Sequence, residues 1–235
     1  MRPAGGSGYA RRAMDARTDG KAARPGPDAR GRYRGLLVDF GGVLTTSVID
    51  AFKSFCEAEG LEPNAVFQRL AESPDARRLV AELECGRITE PAFEPAFAAI
   101  LGVRPDGLIE RMFSHTRPAP EIAAVVLAAR RTGIRTGLLS NSWGEGRYER
   151  DRFAELFDAV VISGEVGLRK PQPAIYTLAA SSLGVEPEAC VFVDDLYHNL
   201  EPARELGMAT VLHSDAEQTT AELEELLGVR VRGAP

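Results

Sequence analysis

Residues 36–45, Leu-Leu-Val-Asp-Phe-Gly-Gly-Val-Leu-Thr, constrain the fold of this chain more than any other stretch. An apolar run drives into a single aspartate, Asp39, and Gly41 and Gly42 follow it. That order reads as a buried strand with a tight loop at its end. In an open parallel sheet the loop leaves Asp39 at the carboxyl edge, where ligands gather. An ordinary strand end with a capping aspartate reads the same way, so the rest of the chain has to separate the two.

From residue 118 onward, strand-like and helix-like segments alternate. A helix carrying Ile122, Val125, Val126 and Ala129 stops at Gly133, and a strand, Ile134–Leu139, runs into Ser140-Asn141-Ser142-Trp143. A helix around Tyr148–Phe157 leads to the strand Ala159–Ile162, and a loop, Gly164–Lys170, precedes a Pro-started helix that ends at Gly184. The strand Cys190–Val193 meets Asp194-Asp195; a helix to Gly207, the strand Ala209–Leu212 and an acidic helix complete the series. This alternation predicts an α/β fold, a Rossmann-like parallel sheet with helices on both faces. Residues 46–117 show no such alternation. Helical faces recur there (Ile49, Phe52, Phe55 and Cys56; Val66, Phe67 and Leu70; Leu79, Val80 and Leu83; Phe93, Phe97, Ile100 and Leu101), with a short turn around Leu108–Phe113. Thr89 is expected to cap the fourth helix and Pro95 to kink or delay it. The expected organisation is a core of residues 34–45 and 118–235 with a helical unit, 46–117, inserted after the first strand.

Residues 1–33 read as a disordered basic tail, because they are rich in Gly, Ala, Arg and Pro and almost free of large apolar residues. Arg11-Arg12 is not followed by the apolar stretch an export signal needs, and no strand precedes Gly5-Gly6-Ser7-Gly8 to make it a dinucleotide loop. The tail is a solvated extension, a basic arm for an acidic partner, or sequence upstream of a true start at Met14. Residues 1–34 carry nine basic and three acidic residues; with −6 overall, residues 35–235 carry −12. So acidic a body is a poor nucleic-acid binder. No apolar run reaches the roughly 20 residues of a membrane span. The three cysteines, Cys56, Cys85 and Cys190, are odd in number and lack CxxC spacing, which fits a reducing cytoplasm.

Three strands thus end in polar groups: Asp39, Ser140-Asn141 and Asp194-Asp195. Parallel strands place these ends on one edge, although they are far apart in sequence. Carboxylates gathered there repel one another unless a cation sits among them, and hard oxygen donors suit Mg²⁺. In an Arg-biased chain whose only lysines are Lys21, Lys53 and Lys170, Lys170 is either a compact point charge for the site or an exposed loop residue. A carboxylate at Asp39 could attack a phosphoryl group in line, with Lys170 and Ser140 neutralising and holding its oxygens.

Asp39-Phe40-Gly41-Gly42-Val43, Leu138-Leu139-Ser140-Asn141, Lys170-Pro171 and Val193-Asp194-Asp195-Leu196-Tyr197-His198-Asn199 resemble, in order, the four motifs of the haloacid dehalogenase superfamily, and the helical insert sits where that family carries its C1 cap. Ser140-Asn141-Ser142-Trp143 and the runs 165–176 and 199–207 resemble in particular the N-terminal phosphatase domain of bifunctional soluble epoxide hydrolases and their bacterial relatives. The resemblance implies a Mg²⁺-dependent phosphomonoesterase acting on a small phosphorylated molecule through an aspartyl-phosphate on Asp39, as a monomer or homodimer. It implies Asp39 as nucleophile and metal ligand, the Gly41 carbonyl and Asp195 as further metal ligands, and Asp194 in the metal's first or second shell. Ser140 and Asn141 would bind phosphate, Lys170 would bridge nucleophile and phosphate, and Asn199 would order the last loop. Trp143 is either a wall of the substrate pocket or packing beneath the loop. Phe52, Phe55, Phe93 and Phe97 line an apolar substrate pocket or form the core of the cap.

One departure stands out. Phosphatases of the family usually carry an aspartate as general acid and base two residues after the nucleophile, and here that residue is Gly41. Loss of such a group costs roughly 10²–10⁴ in rate. Turnover then favours good leaving groups, or a cap residue such as His115 substitutes. A catalytically weak phosphate-binding or regulatory protein is the alternative. A 2-haloacid dehalogenase is a lesser one, since Thr45-Thr46-Ser47 stand where that branch usually has arginine. His198 reads as a solvated loop residue, His213 as a strand end and Cys190 as core.

Overall fold

A computed structural model describes residues 33–231 except 145, 147 and 149. Residues 1–32, read above as a tail with a start at Met14 in question, lie outside the described residues. Tyr33 already packs against the core, half-buried.

Five strands, β1 (Gly35–Val38), β2 (Arg135–Ser140), β3 (Ala159–Ile162), β4 (Cys190–Asp194) and β5 (Ala209–Leu212), form a parallel sheet in the order β3-β2-β1-β4-β5. The chain first builds outward from β1 through β2 and β3, then returns to β1's other side for β4 and β5. A switch of direction of this kind opens a crevice at the carboxyl ends of the central strands. Val38 pairs in register with Leu138 on one side and Val193 on the other. The residues that follow these three positions, Asp39, the Leu139-Ser140 pair and Asp194, therefore emerge at one edge.

The insert leaves after β1 as α1 (Val48–Ala58), α2 (Ala65–Glu72), α3 (Pro74–Glu84), α4 (Glu90–Leu101) and α5 (Leu108–Met112). These helices enclose their own core, with Phe55, Cys56, Phe93, Phe97, Leu108 and Met112 at 1% exposure or less. The helix α4 continues through Pro95, and Thr89 precedes it without a side-chain cap. The proline thus neither breaks nor delays the helix: burying Phe93, Phe97, Ala98 and Leu101 on one face outweighs the roughly 3 kcal/mol that an interior proline costs. The turn expected around Leu108–Phe113 is itself the short helix α5. The two linkers to the sheet run antiparallel, with a bridge between Thr45 and Pro118 and hydrogen bonds from the Thr46 amide to the Arg117 carbonyl (2.8 Å) and from the Ala119 amide to the Leu44 carbonyl (2.9 Å).

The remaining helices are α6 (Pro120–Arg131), α7 (Arg150–Leu156), α8 (Ser163–Val166), α9 (Pro173–Leu183), α10 (Tyr197–Glu205) and α11 (Ala216–Leu227). Alternate strand residues serve opposite layers. Leu36, Val38, Leu138, Val191 and Val193 pack on residues of α6, α7 and α11, while Leu37, Leu139, Cys190 and Phe192 pack on α9 and α10. A sheet covered on both faces needs strands that are apolar throughout, which is why β1 and β4 read as continuous apolar runs. No described helix is long and apolar enough to cross a membrane, and all three cysteines are buried free thiols.

Candidate active site

Asp39 sits at the end of β1, where its amide donates to the Val193 carbonyl at 2.9 Å and holds the strand end against β4. Its Oδ1 accepts from the Phe40 amide at 2.7 Å and faces Lys170 Nζ at 2.8 Å. Lys170 is 1% exposed, so the exposed-loop reading of this lysine does not hold. The same ammonium donates to Asp194 Oδ2 at 2.6 Å. Asp194 Oδ1 accepts from the Leu196 amide and from Asn199 Nδ2, each at 2.9 Å, and the carbonyl of Asn199 accepts from Tyr176 Oη at 2.7 Å. Asp194 is therefore spoken for on both oxygens, and Asn199 ties the turn after β4 to it.

Asn141, just after β2, receives the Lys170 amide on Oδ1 (2.9 Å) and donates from Nδ2 to the Lys170 carbonyl (3.1 Å). This two-way bond locks the backbone of the lysine loop to the end of β2. Ser140 Oγ lies 3.0 Å from Tyr148 Oη, whose ring packs on Phe40 with centroids 5.0 Å apart. Asp195, half-buried, lies directly against Gly42: a Cβ on Gly42 would overlap the Asp195 carboxylate, and its φ of +79° is one that glycine adopts freely. At Gly41 an added Cβ would meet only Val48 Cγ2, at 3.0 Å.

One ligand oxygen from each of Asp39, Asp194 and Asp195 falls within 4.8 Å of the others. Three carboxylates share one lysine, and their electrostatics show the imbalance. Burial, reinforced by Asp194 and Asp195 and opposed by Lys170, pushes the Asp39 carboxyl up to about 8. Burial and Asp194 push Asp195 up to about 6. Burial alone would lower the Lys170 value, but Asp194 and Asp39 outweigh it and hold the ammonium charged. An all-oxygen donor set with surplus negative charge fits a hard divalent cation such as Mg²⁺, whose charge would restore the carboxylates to their ionised form.

Above this cluster, between the sheet edge and the insert, lies a cavity of about 630 Å³. Asp39, Gly41, Ser140, Asn141, Lys170, Asp195 and Asn199 form its floor, while Val48, Phe52, Phe67, Leu70, Val80 and Phe113 give it an apolar wall. Trp143 both lines the cavity and packs, with ring centroids 5.4 to 6.0 Å apart, on Phe52, Phe93 and Phe113. Of the four phenylalanines singled out, Phe52 reaches the cavity, whereas Phe55, Phe93 and Phe97 are core of the insert. His115 is exposed and away from the cavity wall, which removes it as a stand-in for the missing acid. His198 is exposed at the cavity rim. His213 follows β5 with Nδ1 2.8 Å from Thr219 Oγ1, and Cys190 is core, its thiol pushed up to about 12 by burial.

Four polar lining residues escape sequence reasoning: Arg77, Glu84, Tyr148 and Arg169. Glu84 belongs to the insert and pairs with Arg169 across the interface. For Arg169 a signal existed, its place next to Lys170; for Glu84 and Tyr148 no spacing reveals the contact.

The haloacid dehalogenase-like hydrolase family profile matches residues 33–207. Among curated proteins, the chain is 33% identical over 135 residues to bifunctional epoxide hydrolase 2 of Sus scrofa, covering 54% of this chain and 24% of that protein. It is 34% identical over 103 residues to glyceraldehyde 3-phosphate phosphatase of Methanopyrus kandleri, covering 42% and 44%. The chain thus spans about a quarter to under half the length of these relatives. Among solved structures, a family enzyme of Bacteroides thetaiotaomicron in complex with magnesium and inorganic phosphate shares the fold at a TM-score of 0.55 and 24% identity, covering 77% of this chain and 93% of that one. With its sheet order, its carboxylate edge and a family match over most of its length, the chain belongs to the haloacid dehalogenase-like hydrolases.

Proposed function

We propose that the protein is a Mg²⁺-dependent phosphomonoesterase in which Asp39 is the nucleophile. The observation that carries this is the Asp39–Lys170–Asp194 arrangement beside Asp195 at the base of a cavity between the sheet edge and the insert. Phosphatases among the relatives, and magnesium with phosphate in the Bacteroides neighbour, point the same way. With Oδ1 engaged by Lys170 and the Phe40 amide, Oδ2 of Asp39 attacks phosphorus as the bond to the leaving oxygen breaks, and that oxygen departs with the electron pair. Ser140 and the Lys170 ammonium hold the oxygens of the phosphoryl group, and Asn141 keeps Lys170 in place. Water then attacks the aspartyl-phosphate, returning Asp39 and releasing phosphate. Asp39, Asp195 and the Gly41 carbonyl would hold Mg²⁺, which supplies charge neutralisation between nucleophile and phosphoryl group.

Asp194, with its three donors, orients Lys170 rather than standing open to metal. Gly41 offers no side chain to protonate the leaving oxygen, so esters of good leaving groups react fastest. The apolar wall favours a leaving group that is itself apolar. The same glycine favours a second reading, a phosphate-binding protein that turns over feebly.

Phosphate release from p-nitrophenyl phosphate and a panel of sugar, lipid and nucleotide monoesters tests this, with Mg²⁺, with EDTA, and with Asp39→Asn. Release that requires both Mg²⁺ and Asp39 supports the phosphatase. A trapped phospho-Asp39 that does not turn over supports the binding protein.

A further inference from the structure

We infer that Glu84, carried on the insert, is a positioning residue that clasps the Asn141 and Arg169 loops together and makes the alignment of the phosphate site depend on the seating of the insert. This rests on the phosphatase reading for its kinetic consequence and on geometry for the clasp itself.

Glu84 is the last residue of α3, so its carboxylate stands at the negative end of the helix dipole. Its side chain is 8% exposed, and burial raises its pKa, opposed by Arg169. Neither the helix nor the interior favours an acid here, and compensation comes from across the interface. Glu84 Oε2 accepts from Arg169 Nε and lies 3.5 Å from Asn141 Nδ2, and the Trp143 side chain, near the same carboxylate, opposes the rise in its pKa. Each partner belongs to or adjoins the floor of the site: Arg169 precedes Lys170, Asn141 holds both backbone groups of Lys170, and Trp143 follows two residues later.

The backbone repeats the contact. The Glu84 carbonyl accepts from Ser163 Oγ, and Ser163 Oγ accepts from the Ser142 amide at 2.8 Å. Two residues on, Gly86 lies so close to the Gly164 carbonyl that a Cβ there would overlap it. The insert is thus joined to the sheet domain along two lines, the paired linkers at Thr45 and Pro118 and this clasp. The cavity is lined from both sides: Val48 and Phe113 lie near the linkers in sequence, and Glu84, Asn141 and Arg169 belong to the clasp. Displacing the insert from the floor breaks the Glu84 contacts and releases Asn141 and the lysine loop from one of their supports.

Trp143 is the only tryptophan and sits at the clasp, so it reports the contact without turnover. Wild type, Glu84→Gln, Glu84→Ala, Arg169→Met and the Glu84→Ala/Arg169→Met double variant are compared by acrylamide quenching of Trp143, by calorimetric binding of inorganic phosphate with Mg²⁺, and by kcat and KM on p-nitrophenyl phosphate. Glu84→Ala is expected to raise quenching at least about twofold and to weaken phosphate binding and kcat by about tenfold, as loss of a charged hydrogen-bond partner does, with KM changed less than kcat. Glu84→Gln, which keeps an acceptor oxygen, should fall between the two and keeps the test open if the alanine variant unfolds. The double variant should lose no more than the worse single one. Unchanged quenching in both Glu84 variants overturns the clasp. Raised quenching with phosphate affinity and kcat within twofold of wild type overturns the positioning role, and so do additive losses in the double variant. A wild type that binds phosphate but releases none overturns the phosphatase reading alone, and the quenching and binding arms still decide the clasp.

Discussion

Lys170 Nζ lies 2.6 Å from Asp194 Oδ2, with both side chains at 1% exposure or less, and the same ammonium is 2.8 Å from Asp39 Oδ1. A buried cation between two buried carboxylates is held by geometry rather than by solvent, so its removal is costly. Lys170→Met leaves two buried acids without their cation. Breaking a buried pair in this way costs about 3–5 kcal/mol. The expected outcome is loss of phosphatase activity together with a large drop in the urea midpoint. Mg²⁺ should restore part of the stability and none of the activity. Urea titrations with and without Mg²⁺ check it.

The two adjacent glycines should respond in opposite ways. A Cβ at Gly41 meets only the end of the Val48 side chain, at 3.0 Å, so Gly41→Asp folds with a small loss of stability. Supplying a proton donor there should raise kcat on alkyl phosphates by about 10-fold or more, within the range of general acid catalysis, and change the p-nitrophenyl ester little. Equal effects on both esters would remove protonation of the leaving oxygen as the limiting step. Gly42→Ala places its methyl group onto the Asp195 carboxylate at a positive φ, and Mg²⁺ affinity measured by calorimetry should collapse.

Metal binding should follow the titration of Asp195 and Asp39, pushed up to about 6 and about 8 by burial and by neighbouring aspartates. Protons compete with Mg²⁺ below those values, so affinity falls as pH drops from 8 to 5. In EDTA the sign of the stability effect is opposite. A carboxyl with a raised folded-state value stabilises the fold fully below its ordinary value near 4, and that stabilisation is lost as pH rises through about 6 for Asp195 and about 8 for Asp39. Thermal melts across pH 4.5–8 should therefore show a shift with Mg²⁺ that grows with pH, and a flat shift would refute Asp39 and Asp195 as the ligands.

The Tyr148 phenol is held protonated, its pKa pushed up to about 12 by burial, and its oxygen lies 3.0 Å from Ser140 Oγ. Tyr148→Phe keeps the ring on Phe40 and removes the hydroxyl that orients Ser140. Loss of one such hydrogen bond, about 1 kcal/mol, predicts a several-fold weaker inhibition by inorganic phosphate with little change in Tm. Unchanged inhibition would detach Tyr148 from the phosphate site.

The strand ending in Asp39, the Ser140-Asn141 turn and the Asp194-Asp195 pair were legible because a parallel sheet turns sequence order into spatial convergence. An apolar run followed by a polar residue names a strand end whatever the rest of the chain does. Lys170 was legible as chemistry but not as geometry: its loop is gripped through the backbone by Asn141, which follows a strand far away in sequence. Pro95 shows the reverse case, a local rule for breaking helices overruled by the burial of the phenylalanines around it.

From its sequence alone this protein was determined to be a parallel α/β domain with a helical insert and a carboxylate edge, because periodicity and strand-end chemistry are local properties of the chain. Only the tertiary structure decided that Asp194 serves Lys170, that Trp143 packs on the insert as well as lining the cavity, that His115 stands apart, and that Glu84 closes on Arg169. Those facts are contacts between residues that are remote in sequence, some as far apart as Glu84 and Arg169. Such contacts follow from how one layer docks on another, which no residue spacing encodes.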